Sequence, residues 1–120
     1  MRQDMLESIL SDLNGSSADI EASAVISTDG LMIASLLPAG LEEERIGAMG
    51  AALLALGGRT AQELSRGELE QVLLKGSRGY VLLTNAGRDA VMAVMAMPSA
   101  KLGLILLDVR RAAECFSKVI

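Results

Sequence analysis

Two runs in the second half of the chain, Val81-Leu82-Leu83 and Val91-Met92-Ala93-Val94-Met95-Ala96-Met97, are almost wholly apolar, with no polar residue at alternate positions. They are of strand length, and a strand without a polar face is one covered on both sides. A sheet with such strands at its centre therefore carries a layer above and a layer below. The rest of the chain can be read as the source of those layers.

Residues 4–14 form a predicted helix, with Asp4 as its cap, Glu7 in capping-box spacing, and Leu6, Ile9, Leu10 and Leu13 on one stripe; Asn14-Gly15-Ser16-Ser17 ends it. The runs 21–28 and 31–37 flank Asp29-Gly30, which reads as a β-hairpin with a type I′ turn, closed by Pro38-Ala39-Gly40. Residues 41–66 read as one long helix: Glu42, Glu43 and Glu44 complement the dipole in its first turn, Arg66 lies in the last turn and Gly67 is the expected stop. Runs 68–75, 79–85 and 89–97, separated by Gly76-Ser77-Arg78 and Ala86-Gly87-Arg88, predict an antiparallel meander. The segment 100–118 admits a strand over Leu102–Leu107, but Leu102, Ile105, Val109, Ala112 and Phe116 recur at helical spacing and Arg110, Arg111 and Lys118 suit a helix C-terminus. The expected fold is therefore α+β in the order α-β-β-α-β-β-β-α: a five-stranded antiparallel sheet in a three-layer sandwich. The middle helix lies on one face and the terminal helices on the other, all within a single domain over residues 1–120.

The chemistry available is narrow. Histidine is absent, which removes the commonest general base and most transition-metal sites. The single cysteine, Cys115, has no histidine to activate it and is expected as a core-facing thiol; it permits no intrachain disulfide, in keeping with a reducing compartment. Consecutive glutamates on a helix point in different directions, so Glu42, Glu43 and Glu44 do not converge on a metal. The glycine-containing segments match neither a P-loop nor a dinucleotide fingerprint. No catalytic residue, cofactor or metal is expected. Met92, Met95 and Met97 read as sheet core. A net charge of −4, with Tyr80 and Phe116 as the only aromatics, argues against a nucleic-acid partner. The longest uncharged run, Ile46 to Gly58, is too short to span a membrane, and the N-terminus lacks the apolar core of a signal peptide, so a cytoplasmic protein without membrane insertion is expected.

The middle helix is unusual. Glycine inside a helix costs up to about 1 kcal/mol relative to alanine, yet this one holds Gly47, Gly50, Gly57 and Gly58 among many alanines. Such a surface is repaid by close approach of another backbone, either that of its own sheet or that of a partner helix. Projection at 100° per residue places Ile46, Gly50, Leu53, Leu54, Gly57, Ala61 and Leu64 on one face. Arg45, Ala48, Ala52, Ala55, Arg59, Gln62 and Arg66 fall on the opposite one, short-chained in the middle and cationic at its ends. An apolar content of 51% is also high for a small monomer and calls for a covering subunit.

The order of elements resembles the roadblock domain, named for a dynein light chain, in its bacterial single-domain members. The segments that carry the resemblance are the hairpin Ala24–Ala34, the long Ala/Gly-rich helix, Gly79-Tyr80-Val81-Leu82-Leu83-Thr84-Asn85, and the closing Leu102–Ala113. The last is a helix in that family, which supports the helical reading. The resemblance implies a profilin- and longin-like fold, and a homodimer or heterodimer whose third strands join into one sheet with the middle helices side by side. It further implies a role as activator or scaffold of a small Ras-like GTPase docked on those helices. On this implication the dimer interface involves Leu69, Gln71, Leu73, Gly47 and Ala51, and the GTPase platform is Arg45, Ala48, Ala52, Ala55, Arg59, Gln62 and Arg66. Regulation would act by steadying the partner's switch region rather than through an inserted arginine. A structural adaptor without effect on hydrolysis, or a small-ligand sensor, are the alternatives; the sensor would want a polar-lined pocket, and these strands offer few polar positions to line one.

Overall fold

The computed structural model describes residues 2–119. The elements follow the expected order: α1 (Arg2–Ser16), β1 (Ile20–Ser27), β2 (Met32–Leu36), α2 (Glu43–Glu63), β3 (Gln71–Gly76), β4 (Gly79–Asn85), β5 (Ala90–Ala96) and α3 (Leu102–Val119). The strands form one antiparallel sheet in the order β2-β1-β5-β4-β3. β5 is the central strand, flanked by β1 and β4; β1 and β5 are buried along nearly their whole length, β4 only at Leu82 and Leu83.

Register sorts the strand residues between two cores. Val25, Ala34, Leu82, Met92 and Val94 face α1 and α3, packing with Leu6, Leu10, Leu13, Ile105, Val109 and Phe116. Ala24, Ile26, Leu83, Val91 and Ala93 face α2 and meet Ile46, Leu53 and Leu54. The expected sandwich, with the middle helix alone on its face, is the one observed. Ser23 is the one buried polar residue among those described, and its hydroxyl donates to Oδ1 of Asn14 at 2.6 Å, tying the end of α1 to β1.

The boundaries differ from the sequence reading for local reasons. α1 begins at Arg2, so Asp4 lies within its first turn rather than capping it, and it runs through Asn14-Gly15 because Asn14 and Ser16 are held by tertiary bonds to Ser23 and Asp108. The β1–β2 connection is not a type I′ turn. Only Gly30 has positive φ (92°), with its N–H donating to the Ser27 carbonyl and the Ser27 N–H to that of Leu31. This is the longer loop in which a turn is followed by one left-handed residue. β3 starts at Gln71, and Glu68–Glu70 remain outside the ladder.

α2 is shorter than predicted at both ends. Gly40, at φ 95°, delays its start, and Glu42 precedes the helix in extended conformation without a side-chain cap. Its end comes before Gly67. Arg66 N–H donates to the Ala61 carbonyl and Ser65 N–H to that of Gln62, with Ser65 at φ 57°. This is a Schellman closure, with serine where glycine is the unstrained residue. Ser65→Gly is therefore expected to raise stability by about 0.5–1 kcal/mol, seen as a higher urea midpoint at unchanged slope; an unchanged or lower midpoint would contradict the strain argument.

Candidate functional site

α2 is held on the sheet through its glycines. A Cβ on Gly47 would run into the carbonyl of Gly30, one on Gly50 would lie 3.0 Å from Cδ1 of Ile26, and one on Gly57 would lie 3.0 Å from Leu69 and 3.2 Å from Val72. The helix thus crosses the sheet from the β1–β2 turn to the start of β3, lying close enough at both places that no side chain fits between. Gly58, by contrast, has open space around its Cβ position. The glycine content is explained mainly by the protomer's own sheet.

This seating turns the opposite face outward. Arg45, Ala48, Ala52, Ala55, Arg59 and Gln62 are all exposed and recur at spacings of three and four, so they form one continuous stripe along the helix. Arg59 lies 3.7 Å from Glu63 one turn on, in a solvated pair of small energetic weight. Arg66 is exposed but leaves the stripe: it follows the helix end, and its Nε donates to the Leu64 carbonyl at 3.0 Å. Three apolar residues extend the exposed surface beyond the predicted stripe, Met49, Leu56 and Leu64. Leu64, assigned by periodicity to the sheet side, is 64% exposed.

The residues predicted for a subunit interface divide. Gly47 is buried against Gly30, and Ala51 lies half-buried beneath the same turn, so both are engaged within the protomer. Leu69 is half-buried under Gly57, outside the strand. Gln71 and Leu73 lie on β3, the last strand of the sheet, and are exposed. Between the C-terminal half of α2 and the start of β3 runs an open groove of about 400 Å³, with Leu53, Leu56, Ala61, Leu64, Leu69 and Val72 among its walls.

Elsewhere, Met92 is buried and Met95 half-buried, but Met97 lies past the strand and is exposed. Cys115 is exposed rather than in the core. It shares a helical face with Leu104, Asp108 and Arg111, at spacings of four, three and four, and not the buried stripe of Phe116. Among the described residues no group of three or more histidine, cysteine, aspartate or glutamate side chains could hold a metal ion, and no helix is long and apolar enough to cross a membrane.

Residues 6–96 match the Roadblock/LC7 domain. The chain belongs to the Roadblock/LC7 family. An uncharacterised protein of Methanocaldococcus jannaschii is 38% identical over 110 residues, spanning 92% of this chain and 95% of the relative. Among solved structures, MglB of Myxococcus xanthus superposes with a TM-score of 0.89 at 17% identity, covering 97% of this chain and 87% of the other. A Roadblock/LC7 domain from Streptomyces avermitilis gives 0.85 at 17% identity, covering 90% and 91%. The family identified from the four segments is thus the one found, and the fold is shared at low sequence identity.

The Roadblock/LC7 helix α2 depends on its contact with the hairpin turn. Gly47→Ala places a methyl group against a backbone carbonyl that has no room to give, and is expected to destabilise by about 1–3 kcal/mol. Gly58→Ala, in open space, is expected to stabilise by up to about 1 kcal/mol. Thermal melts of the two variants at one protein concentration test the contrast; equal effects would remove the close approach as the reason for Gly47.

Proposed function

We propose that this Roadblock/LC7 protein acts as a homodimeric regulator or scaffold of a small Ras-like GTPase, joined edge to edge through β3 and presenting paired α2 helices as the docking surface. The observation that carries the reading is the state of the β3 edge. Leu73 and Leu74 are each 44% exposed on a strand with only one neighbour, and the apolar groove beside it continues onto α2. Among the described residues no side chain bonds to the backbone of 71–76, whereas at the other edge Gln3 donates to the Ile33 carbonyl of β2. An apolar, uncovered edge strand is a template for another strand, and a second copy of the same strand satisfies it symmetrically.

Antiparallel pairing of two β3 strands about a two-fold axis normal to the sheet keeps both α2 helices on one face. The stripe Arg45, Ala48, Ala52, Ala55, Arg59 and Gln62 then repeats on each helix. Short side chains along its middle let a partner approach the helix backbone closely, and the flanking arginines favour acidic residues on that partner. Acceleration of hydrolysis, where it occurs, follows from steadying the GTPase's own catalytic machinery through this contact. The role belongs to regulation and not to catalysis by this chain, and its place is the cytoplasm with its GTPase.

Light scattering after size exclusion should give about twice the 12.5 kDa chain mass for the wild type. Leu73→Glu should give a folded monomer, since it sets like charges beside the seam. A wild-type monomer would end the reading. On a stable dimer, Ala52→Glu should weaken retention of a GTP-loaded Ras-like GTPase from the same genome by at least about tenfold, the order of one contact worth 1.4 kcal/mol. Retention unaffected by Ala52→Glu would move docking off α2. A GTPase that binds without faster hydrolysis would assign the scaffold role.

A further inference from the structure

On the face of the sheet that carries α1 and α3, a cleft of about 890 Å³ opens between the first turns of α1, the 86–89 loop and the end of α3. Its floor is apolar: Leu6 and Ala90 are buried and Ile33 is half-buried, all three belonging to the core of that face or packed against it. The loop is held in place at several points. Thr28 N–H donates to the Asp89 carbonyl and Ala86 N–H to that of Ala90. Gly87, at φ 100°, lays its backbone against Ser117, whose Cα would lie 3.5 Å from a Cβ on the glycine. None of the walls belongs to α2 or β3, so the cleft is independent of a dimer joined through that strand.

The polar groups around the cleft divide into paired and unpaired ones. Gln3 Nε2 donates to the Ile33 carbonyl at 3.2 Å, and the Ser117 hydroxyl donates to the Glu114 carbonyl at 2.7 Å. Ser27 Oγ accepts from Leu31 N–H at 3.0 Å, which leaves its own O–H available to donate. Arg2 and Arg88 reach the cleft from different elements, and among the described residues neither guanidinium is in a hydrogen bond or an ion pair. Asp89 is the one acidic residue of the walls. Two guanidiniums against one carboxylate leave a surplus of one positive charge, in a chain whose net charge is −4. The polar groups come from a helix start, a loop and a strand end rather than from strand interiors, where the sequence offers few.

We propose that this cleft binds a small organic carboxylate, its carboxylate group held by Arg2, Arg88 and the Ser27 hydroxyl and its carbon body laid on Leu6, Ile33 and Ala90. Planar guanidiniums receive carboxylate oxygens in paired, charge-assisted N–H···O bonds. The surplus of one charge matches a monoanion, while the Asp89 carboxylate opposes a polyanion such as a polyphosphate. The volume falls within the range of about 300–1,000 Å³ common to small-molecule sites, which join a mainly apolar lining to a few polar groups. A bound carboxylate would tie the start of α1 to the 86–89 loop, on the opposite face of the sheet from α2.

The test is a titration of the isotope-labelled full chain with phenylacetate, read by amide chemical shifts, with phenylacetamide and inorganic phosphate titrated in parallel. The expected result is a saturable shift at Gly87, Arg88 and Ser117 with phenylacetate. The neutral amide and inorganic phosphate should each bind at least about tenfold more weakly, and so should phenylacetate to Arg2→Gln and to Arg88→Gln. Both arginines are exposed, so circular dichroism of the two variants should match that of the wild type. No saturable shift at about 10 mM phenylacetate, or saturation confined to other residues, overturns the inference. Equal binding of acid and amide, or binding unchanged in either arginine variant, removes the guanidiniums and overturns it. Inorganic phosphate binding as tightly as phenylacetate removes the apolar floor and overturns it as well.

Discussion

The contact of Gly47 with the Gly30 carbonyl determines where α2 can lie. Two backbones meet there without side chains between them, so neither can shift sideways without losing the hairpin turn or the helix. Gly30 is held in turn by its positive φ and by its bond to Ser27. With one end pinned on the β1–β2 turn and Gly57 resting on Leu69 and Val72, the helix has one path across the sheet. The outward stripe and the groove beside β3 are both consequences of that path.

The two sides of the sheet are unequally protected. α1 and α3 bury a broad core around Leu10, Met92, Ile105 and Phe116. On the other side a single helix, set down at glycines, covers the rows of Ile26 and Leu83 and little else. Removing apolar surface from water stabilises at about 25 cal/mol per Å², so a face left half-covered forgoes stabilisation that a second chain can supply. Part of the high apolar content lies here, with Met49, Leu56 and Leu64 exposed on α2 and at its end and Leu73 and Leu74 on β3; Leu104 and Leu107 are exposed on α3 as well.

Much of this was legible in the sequence because the strongest signals were about layers. Val81–Leu83 and Val91–Ala96 read as strands with cover on both sides, and the spacing of Ile105, Val109, Ala112 and Phe116 favours one helical face over the strand that Leu102–Leu107 also admits; both patterns are set by the repeat of the element itself. The errors have a common origin. Periodicity tells which way a residue points but not how far the surface beneath it extends. Leu64 falls on the sheet-side stripe, yet it borders an open groove with Leu69 and Val72 and stays exposed. Gly47 fits the protomer's own sheet and a partner helix equally well in the sequence, because nothing there indicates that a turn seventeen residues earlier folds under it. Ser65 in the left-handed region carries no compositional mark, with Gly67 nearby as the more obvious stop. Cys115 is a different case: its spacing from Arg111, Asp108 and Leu104 sets it on the outer face of α3, against the general tendency of free cysteines to be buried.

A docking surface on α2 has a consequence for how a partner would sense assembly. The stripe from Arg45 to Gln62 belongs to one helix, whose glycine contacts with its own hairpin turn and sheet run from Gly47 to Gly57. Its last turns, with Arg59 and Gln62 on their outer side, flank the open groove beside β3. Pairing through β3 would set the second sheet's edge next to that groove, so the cationic end of the stripe lies nearest the proposed seam, while the Ala48 and Ala52 part lies farther from it. A GTPase that needs the whole stripe would then discriminate dimer from monomer without touching the β3 seam, and the strength of that discrimination would follow the rigidity of the helix tip.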